Sequence, residues 1–370
     1  MISKNLKFYE NLSLTNVSFN NNFLKNLKKI LKTGTYINGP FGEKLEKEFS
    51  KFIGVNYSIN VSNGLDGLIL GLNALKLIRK KKHLNEVIVP ANTYIASILS
   101  IIHAGLKPIL VEPNIDDFNI NLDLAKKKIS KNTLAIMPVH LYGRPVDNRK
   151  LNYFKRKKIF IIEDASQAHG AHINGKMVGS FGDLAVFSCY PGKNLGAIGD
   201  AGIITTNSKK LSNIIKSLKN YGSDKKYYND YVGFNNRMDE IQAAFLLEKL
   251  KNLDEINKKK ILIANTYEKF LSHKFKKPKI DNYYNVFHIY PIRVKKRAKL
   301  VTYLKKHKIP FNFHYPLPPH KQKALREYFY KKIFPITEEI HKTIISLPIA
   351  PYFSIKKIKE FCLKINEYND

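Results

Sequence analysis

Between residues 58 and 206, short apolar runs alternate with segments of helical character, and this alternation constrains the fold more than any other feature of the chain. The runs occupy 87–89, 108–111, 134–139, 159–163, 184–187 and 202–205, and helix-like stretches such as 94–103 and 122–129 separate several of them. Brief β-rich segments joined by helices read as βαβ units, which bury both faces of a mostly parallel sheet. Ahead of them, 43–53 sets Leu45, Phe49, Phe52 and Ile53 on one helical face, and Gly54 supplies a stop. Beyond 206 the texture changes. Residues 239–253 read as an amphipathic helix continuing into 258–270, followed by a strand-like 286–294 and a Pro-rich loop at 315–320. The expected architecture is α/β: a large domain over 1–250 with a mostly parallel mixed sheet, then a smaller C-terminal α+β domain over 251–370.

Composition narrows the function. The two cysteines, Cys189 and Cys362, supply neither a disulfide framework nor the four thiolates of an iron–sulfur cluster. No uninterrupted apolar stretch approaches the ~18 residues of a membrane span. Met1-Ile-Ser-Lys-Asn-Leu-Lys lacks the apolar block of a secretory signal, so a cytoplasmic location away from membranes is expected. The net charge of +33 invites a nucleic-acid reading. The basic residues are scattered over separate segments, however, with no zinc-finger spacing or aromatic RNA-binding signature, so neither nucleic acid nor metal is expected. A positive field that attracts anionic small molecules is the simpler consequence.

In open α/β sheets, ligands bind beyond the carboxyl ends of the strands. Polar residues gather at four such ends: Asn92, Thr93 and Tyr94; His140 and Tyr142; Asp164, Gln167 and His169; and Ser188 to Lys193. Lys193 stands in the glycine-rich Phe187-Ser-Cys-Tyr-Pro-Gly-Lys-Asn-Leu-Gly-Ala-Ile-Gly-Asp-Ala-Gly-Ile, just past an apolar strand. An amine partly desolvated there loses pKa and becomes a nucleophile toward an aldehyde. A P-loop is excluded, because no glycine lies five residues before Gly192 and Asn194 replaces the required Ser or Thr. Asp164 suits either a helix N-cap or the task of keeping a pyridine nitrogen protonated. Ser62-Asn-Gly-Leu-Asp-Gly opens an apolar helix whose backbone N–H groups can hold a phosphate.

A set of motifs runs in order along nearly the whole chain. They are Tyr36-Ile-Asn-Gly-Pro, Val61-Ser-Asn-Gly-Leu-Asp, Pro90-Ala-Asn-Thr-Tyr-Ile-Ala-Ser, Val139-His-Leu-Tyr-Gly-Arg-Pro-Val-Asp, Glu163-Asp-Ala-Ser-Gln-Ala-His-Gly-Ala, the Lys193 loop and Gly233-Phe-Asn-Asn-Arg-Met-Asp-Glu-Ile-Gln-Ala-Ala. Together they resemble the DegT/DnrJ/StrS-type sugar-nucleotide aminotransferases, of the fold-type I pyridoxal-phosphate class. The resemblance implies that Lys193 forms the Schiff base with pyridoxal phosphate and carries the proton between the donor Cα and the cofactor. It implies that Asp164 pairs with the pyridinium nitrogen, Gln167 contacts the ring hydroxyl and Tyr94 stacks on the ring. Asn63, Gly64, Leu65 and Ser188 are implied cofactor contacts around the phosphate, and Asn235 reaches in from the neighbouring subunit of a homodimer. The implied reaction is ping-pong through pyridoxamine phosphate, with L-glutamate as donor and a nucleotide-linked keto sugar as acceptor. Leu65 stands where a Thr is common, Cys189 where Phe is usual and Ala201 where Gly is usual.

A finer resemblance rests on Tyr190-Pro-Gly-Lys-Asn-Leu-Gly-Ala and Asn220-Tyr-Gly-Ser-Asp-Lys-Lys-Tyr-Tyr-Asn. It is to the branch that aminates C3 of dTDP-3-oxo-6-deoxyhexoses, in surface-glycan (O-antigen, lipopolysaccharide) sugar biosynthesis. In that branch Tyr190, His314 and Tyr315 contact the nucleotide sugar. Amination at C4 is the main alternative. The related pyridoxal-phosphate sugar dehydratases replace the lysine or require an iron–sulfur partner, and Lys193 and the two cysteines argue against both.

Overall fold

The computed structural model describes residues 20–225 and 227–369, so the N-terminal residues 1–7 read for a signal, and Lys226 of the 220–229 motif, lie outside the described residues. Helices α1 (Asn20–Thr33) and α2 (Pro40–Ile53) precede the sheet. Gly54 ends α2 as expected: it takes φ +77°, and its N–H donates to the Ser50 carbonyl at 2.9 Å.

Seven strands form the main sheet: β1 (Tyr57–Val61), β2 (Glu86–Pro90), β3 (Lys107–Val111), β4 (Thr133–Ile136), β5 (Phe160–Asp164), β8 (Leu184–Ser188) and β9 (Gly202–Thr206). Strands β6 (His172–Ile173) and β7 (Lys176–Met177) make a separate ribbon. The sheet order is β1-β9-β8-β5-β4-β2-β3. All pairs from β8 to β3 are parallel, while β9 runs antiparallel to both β8 and β1. That reversal has a local cause. Residues 189–201 join β8 to β9 without a helix, so the chain turns straight back instead of crossing over.

The strands are apolar because both faces are covered. Ile161, Ala185, Phe187 and Ile203 join one apolar cluster, while Ile162, Leu184, Val186 and Ile204 join the other. This is the two-residue period of a strand, with a core on each side. Helices α3 (Gly64–Arg79), α4 (Ile95–His103), α5 (Leu122–Lys127), α6 (Asn148–Arg156) and α7 (Lys209–Leu218) intervene between strands or follow β9. Among them α3 approaches the sheet most tightly where its glycines fall. A Cβ on Gly67 would sit 2.7 Å from Val186 Cγ1, and one on Gly71 would sit 2.9 Å from Leu184 Cδ1.

Two expectations need correction. The helix read through 239–270 is two helices, α8 (Glu240–Leu250) and α9 (Leu253–Phe270). The apolar period runs on across the joint, but Asn252 breaks the backbone. Its N–H turns to the Lys249 carbonyl (3.1 Å), and its side-chain amide donates to the Glu248 carbonyl (3.2 Å). Likewise, only Tyr290–Arg293 of the strand-like 286–294 forms a strand, β10. Phe287 there takes φ +43°, and its N–H donates to Asn285 Oδ1 at 2.9 Å, a local turn that alternation alone does not reveal.

The motifs at 36–40 and 233–244, nearly 200 residues apart, meet in space. Glu240 is buried, and its carboxylate accepts from the N–H groups of Gly39 (3.0 Å), Phe41 (2.8 Å) and Gly42 (2.8 Å). An anion at the N-terminus of α2 satisfies donors that a helix cannot satisfy itself. Removing it in Glu240→Ala is expected to destabilise the fold by about 3 kcal/mol or more, since three donors are stranded and each costs roughly 1–3 kcal/mol when buried. Denaturant unfolding measures this, and an unchanged midpoint would contradict it.

The C-terminal region adds α10 (Arg297–Lys306), α11 (Pro335–Thr343), β11 (Ile344–Leu347, paired with β10) and α12 (Ile355–Asn366). It has its own apolar cluster around Tyr267, Tyr290, Leu300 and Ile358. It is tied to the strand ends by polar contacts: Glu112 accepts from the N–H groups of Ile336 and Thr337 at the start of α11, and Arg144 pairs with Asp281. Among the described residues, no helix is long and apolar enough to cross a membrane.

Candidate active site

The carboxyl ends of β2, β5 and β8 open, with the first turn of α3, into a cavity of about 1020 Å³ that the C-terminal region closes from the other side. Every residue given a cofactor or substrate role in the sequence lines it except one, while Asn92, His140, Tyr142 and His169 from the strand ends lie behind its wall. Asn63, Gly64, Leu65, Tyr94, Asp164, Gln167, Ser188, Tyr190, Lys193, His314 and Tyr315 are all in its wall. Asn235 is not; it is exposed, on a segment bridged to Asn220.

Asp164 is the last residue of β5 and is 5% exposed. Its Oδ1 accepts from the Ser166 N–H at 3.1 Å, and its Oδ2 accepts from Ser97 Oγ at 2.7 Å. Because Ser97 gives its one proton to Asp164, the 2.8 Å contact between Thr93 and Ser97 must run with Thr93 as donor. The carboxylate is thus held on one edge by neutral donors, and among the described residues it forms no ion pair, so it can meet a positive partner in the cavity. Ser97 sits on α4, well separated in sequence, and was not among the predicted site residues.

Gln167 is oriented by the backbone. The Tyr142 N–H donates to Gln167 Oε1 at 2.7 Å, which fixes the amide so that Nε2 points outward as a donor. Nε2 donates to the Tyr315 hydroxyl at 3.0 Å. Tyr142 can aim its N–H this way because it takes φ +61°, followed by Gly143 at φ +92°. Tyr315 lies against Tyr94, with ring centroids 5.3 Å apart, and the Tyr94 ring is exposed toward the cavity. His314 Nδ1 meets Ser346 Oγ at 2.8 Å, and the Tyr142 hydroxyl donates to the His314 carbonyl.

A cradle lies where α3 begins beside the end of β8. Asn63 caps the helix, its side chain accepting from the Asp66 N–H at 2.9 Å. That leaves the N–H groups of Gly64 and Leu65 as helix-terminal donors without intrahelical acceptors. A Cβ on Gly64 would lie 2.7 Å from Ser188 Cβ, so only glycine lets the helix begin this close to the end of β8. The helix-terminal donors face the cavity, where they suit an oxyanion group. Pyridoxal phosphate fits this lining: its phosphate would meet the N-terminus of α3, its ring would meet Tyr94 and the Asp164 carboxylate, and its aldehyde would meet the Lys193 amine.

The floor of the cavity is rich in buried nitrogen. Burial lowers the Lys193 amine to about 8, against the opposing pull of Asp164 and Cys189. At neutral pH this populates the neutral amine by roughly two orders of magnitude more than an ordinary lysine does. Lys249 and Lys260 also line the floor, and burial brings them down to about 8 and about 7. Burial and the Lys193 charge push His169 to about 3 and His314 to about 4, so both imidazoles are neutral. Helix α8 supports the Lys193 loop from behind: Gln242 Oε1 accepts from the Ile198 N–H at 3.1 Å, and Lys249 Nζ donates to the Gly196 carbonyl at 3.0 Å.

Comparison with known proteins agrees with this arrangement. The model of the DegT/DnrJ/EryC1/StrS aminotransferase family matches residues 18–366. The chain is 43% identical to the dTDP-3-amino-3,6-dideoxy-alpha-D-galactopyranose transaminase of Aneurinibacillus thermoaerophilus, over 95% of this chain and 97% of the relative. It superposes on S. venezuelae DesV, solved in complex with a ketimine intermediate, with a TM-score of 0.92 and 33% identity, covering 97% and 98% of the two chains. It superposes on NtdA from Bacillus subtilis, solved with bound cofactor PMP, with a TM-score of 0.87 and 29% identity, covering 95% and 82%. The ordered motifs, the mixed sheet with its cavity at the strand ends, and these likenesses together place the chain in the DegT/DnrJ/EryC1/StrS aminotransferase family.

Proposed function

We propose that this aminotransferase moves the amino group of L-glutamate to C3 of a dTDP-linked 3-oxo-6-deoxyhexose, using pyridoxal phosphate bound at Lys193. The observation that carries the reading is the facing of Lys193 and Asp164 across a cavity that ends in the Gly64–Ser188 cradle. The likeness to the Aneurinibacillus transaminase supports a dTDP sugar aminated at C3, and the PMP in NtdA supports the cofactor. When bound, pyridoxal phosphate supplies a carbonyl carbon that takes the amino group and a ring that withdraws electron density.

The chain's own residues supply the rest. Lys193, with its amine brought down to about 8, is both the nucleophile that tethers the cofactor and the base positioned to take and return the proton at the donor Cα. Asp164, fixed by Ser97 and Ser166, pairs with a protonated ring nitrogen. Gln167 offers Nε2 to the ring hydroxyl, its orientation set by Tyr142. Tyr94 covers one ring face, and the N–H groups of Gly64 and Leu65 with Ser188 and Asn63 surround the phosphate. Tyr190, His314 and Tyr315 line the side left for the nucleotide sugar. Asn235 does not enter the cavity of its own chain, which supports its delivery by the second subunit of a homodimer with shared sites.

Product analysis tests the assignment. The purified protein is incubated with pyridoxal phosphate, L-glutamate and, separately, dTDP-linked 3-oxo and 4-oxo 6-deoxyhexoses, and the products are followed by mass spectrometry. Amination of the 3-oxo sugar with equivalent 2-oxoglutarate is expected. Amination confined to the 4-oxo sugar would overturn the regiochemistry, and amination of neither would overturn the substrate class.

A further inference from the structure

A chain of buried polar groups runs behind the Lys193 loop, and none of the roles assigned above uses it. Asn194, next to Lys193, is buried and donates through Nδ2 to Asn257 Oδ1 (2.8 Å) and to the Val286 carbonyl (3.0 Å). Its Oδ1 accepts from Lys260 Nζ at 2.7 Å, and Lys260 also donates to the His288 carbonyl at 3.1 Å. Asn257 in turn donates to the His169 carbonyl at 2.9 Å, closing the chain onto the turn after β5. Asn257 and Lys260 lie one turn apart on α9, so a single helix of the C-terminal half grips both loops that carry the site.

The acceptors of Lys260 are an amide and a carbonyl oxygen, and among the described residues no carboxylate forms an ion pair with it. The ionisable groups facing it are Lys249 from α8, Lys193 and its loop, His169 from the turn after β5, and His288 ahead of β10. Lys193 in turn faces Asp164, Cys189 and the imidazoles of His169, His288 and His314. A buried ammonium without a counter-ion is costly, and a second one nearby raises that cost.

We propose that Lys260 is a positioning residue for Lys193: it anchors the loop on α9 through Asn194, and its charge is coupled to that at Lys193, so a proton held on either nitrogen disfavours one on the other. The inference rests on Lys193 carrying the cofactor as proposed above. Burial, with Lys249 and Lys193 beside it, brings Lys260 to about 7, and burial brings Lys193 to about 8. A proton arriving at the Lys193 nitrogen therefore favours the neutral form of Lys260, and its loss favours the charged form. Two groups so matched titrate as a pair.

The test is a pH titration of the visible band of the full-length protein loaded with pyridoxal phosphate. The wild-type transition is expected to spread beyond the roughly two pH units that a lone group spans. Lys260→Met keeps the stem's packing and removes the charge. It is expected to sharpen the transition and raise its midpoint by about one pH unit, the scale of one nearby charge in a partly screened site. Lys260→Arg keeps a charge that does not titrate, and is expected to lower the midpoint. A sharp one-proton transition in the wild type overturns the coupling, as do variants that leave the midpoint unmoved or move it in the same direction. Should Lys260→Met fail to fold, the wild-type breadth and Lys260→Arg decide the matter. A wild-type protein that forms no band at all overturns the Schiff-base reading first, a result distinct from a band that titrates as a lone group.

Discussion

Lys193→Ala is expected to lower turnover by about 10⁴-fold or more, the upper end of what one positioned acid–base group contributes, because the same amine serves as tether and as proton carrier. The fold is expected to survive. What holds the loop is independent of the Lys193 side chain: the Lys193 N–H donates to the Tyr190 carbonyl at 2.8 Å, Asn194 binds Asn257, and Gln242 and Lys249 hold Ile198 and Gly196. The variant should therefore keep its circular dichroism and unfolding midpoint while losing the absorbance of a lysine-linked cofactor. Turnover near the wild-type rate would remove Lys193 from its assigned role.

Asp164→Asn is expected to slow the half-reaction with L-glutamate by about 10²–10³-fold, within the range for loss of one acid–base partner. The substitution is nearly isosteric, so its effect is one of charge. The amide oxygen still accepts from the Ser166 N–H, and the amide nitrogen then faces Ser97, whose hydroxyl can rotate to accept. What is lost is the negative charge that holds a proton on the ring nitrogen and so keeps the ring electron-withdrawing. Stopped-flow absorbance with L-glutamate measures the step. A rate equal to wild type would exclude Asp164 from pairing with the ring.

The parts of the site legible in the sequence are those in which short strand and following loop are contiguous. Asp164, Gln167, Ser188 and Lys193 each sit within a few residues of a strand end, where an apolar run giving way to polar residues marks the site directly. The parts that were not legible depend on groups brought from afar. Ser97 reaches Asp164 from α4, and Lys260 reaches Asn194 across 66 residues, with no local pattern to distinguish it from the many other lysines. The orientation of Gln167 was hidden for another reason: it depends on the φ of Tyr142, a backbone fact. At the level of the fold, the parallel core followed from the βαβ alternation. The break at Asn252 did not, because the apolar period continues across it, and the antiparallel turn-back of β9 did not, because an apolar strand reads the same in either direction.

The central claim, that this cavity binds pyridoxal phosphate at Lys193 and accepts an amino group from L-glutamate, is tested most directly by the near-UV and visible absorbance of the purified protein, loaded with pyridoxal phosphate, before and after adding L-glutamate. The expected result is a yellow band that bleaches to a pyridoxamine-like band and returns when a dTDP-linked 3-oxo-6-deoxyhexose is added. A protein that stays colourless with pyridoxal phosphate, or a band that L-glutamate leaves unchanged, would contradict it.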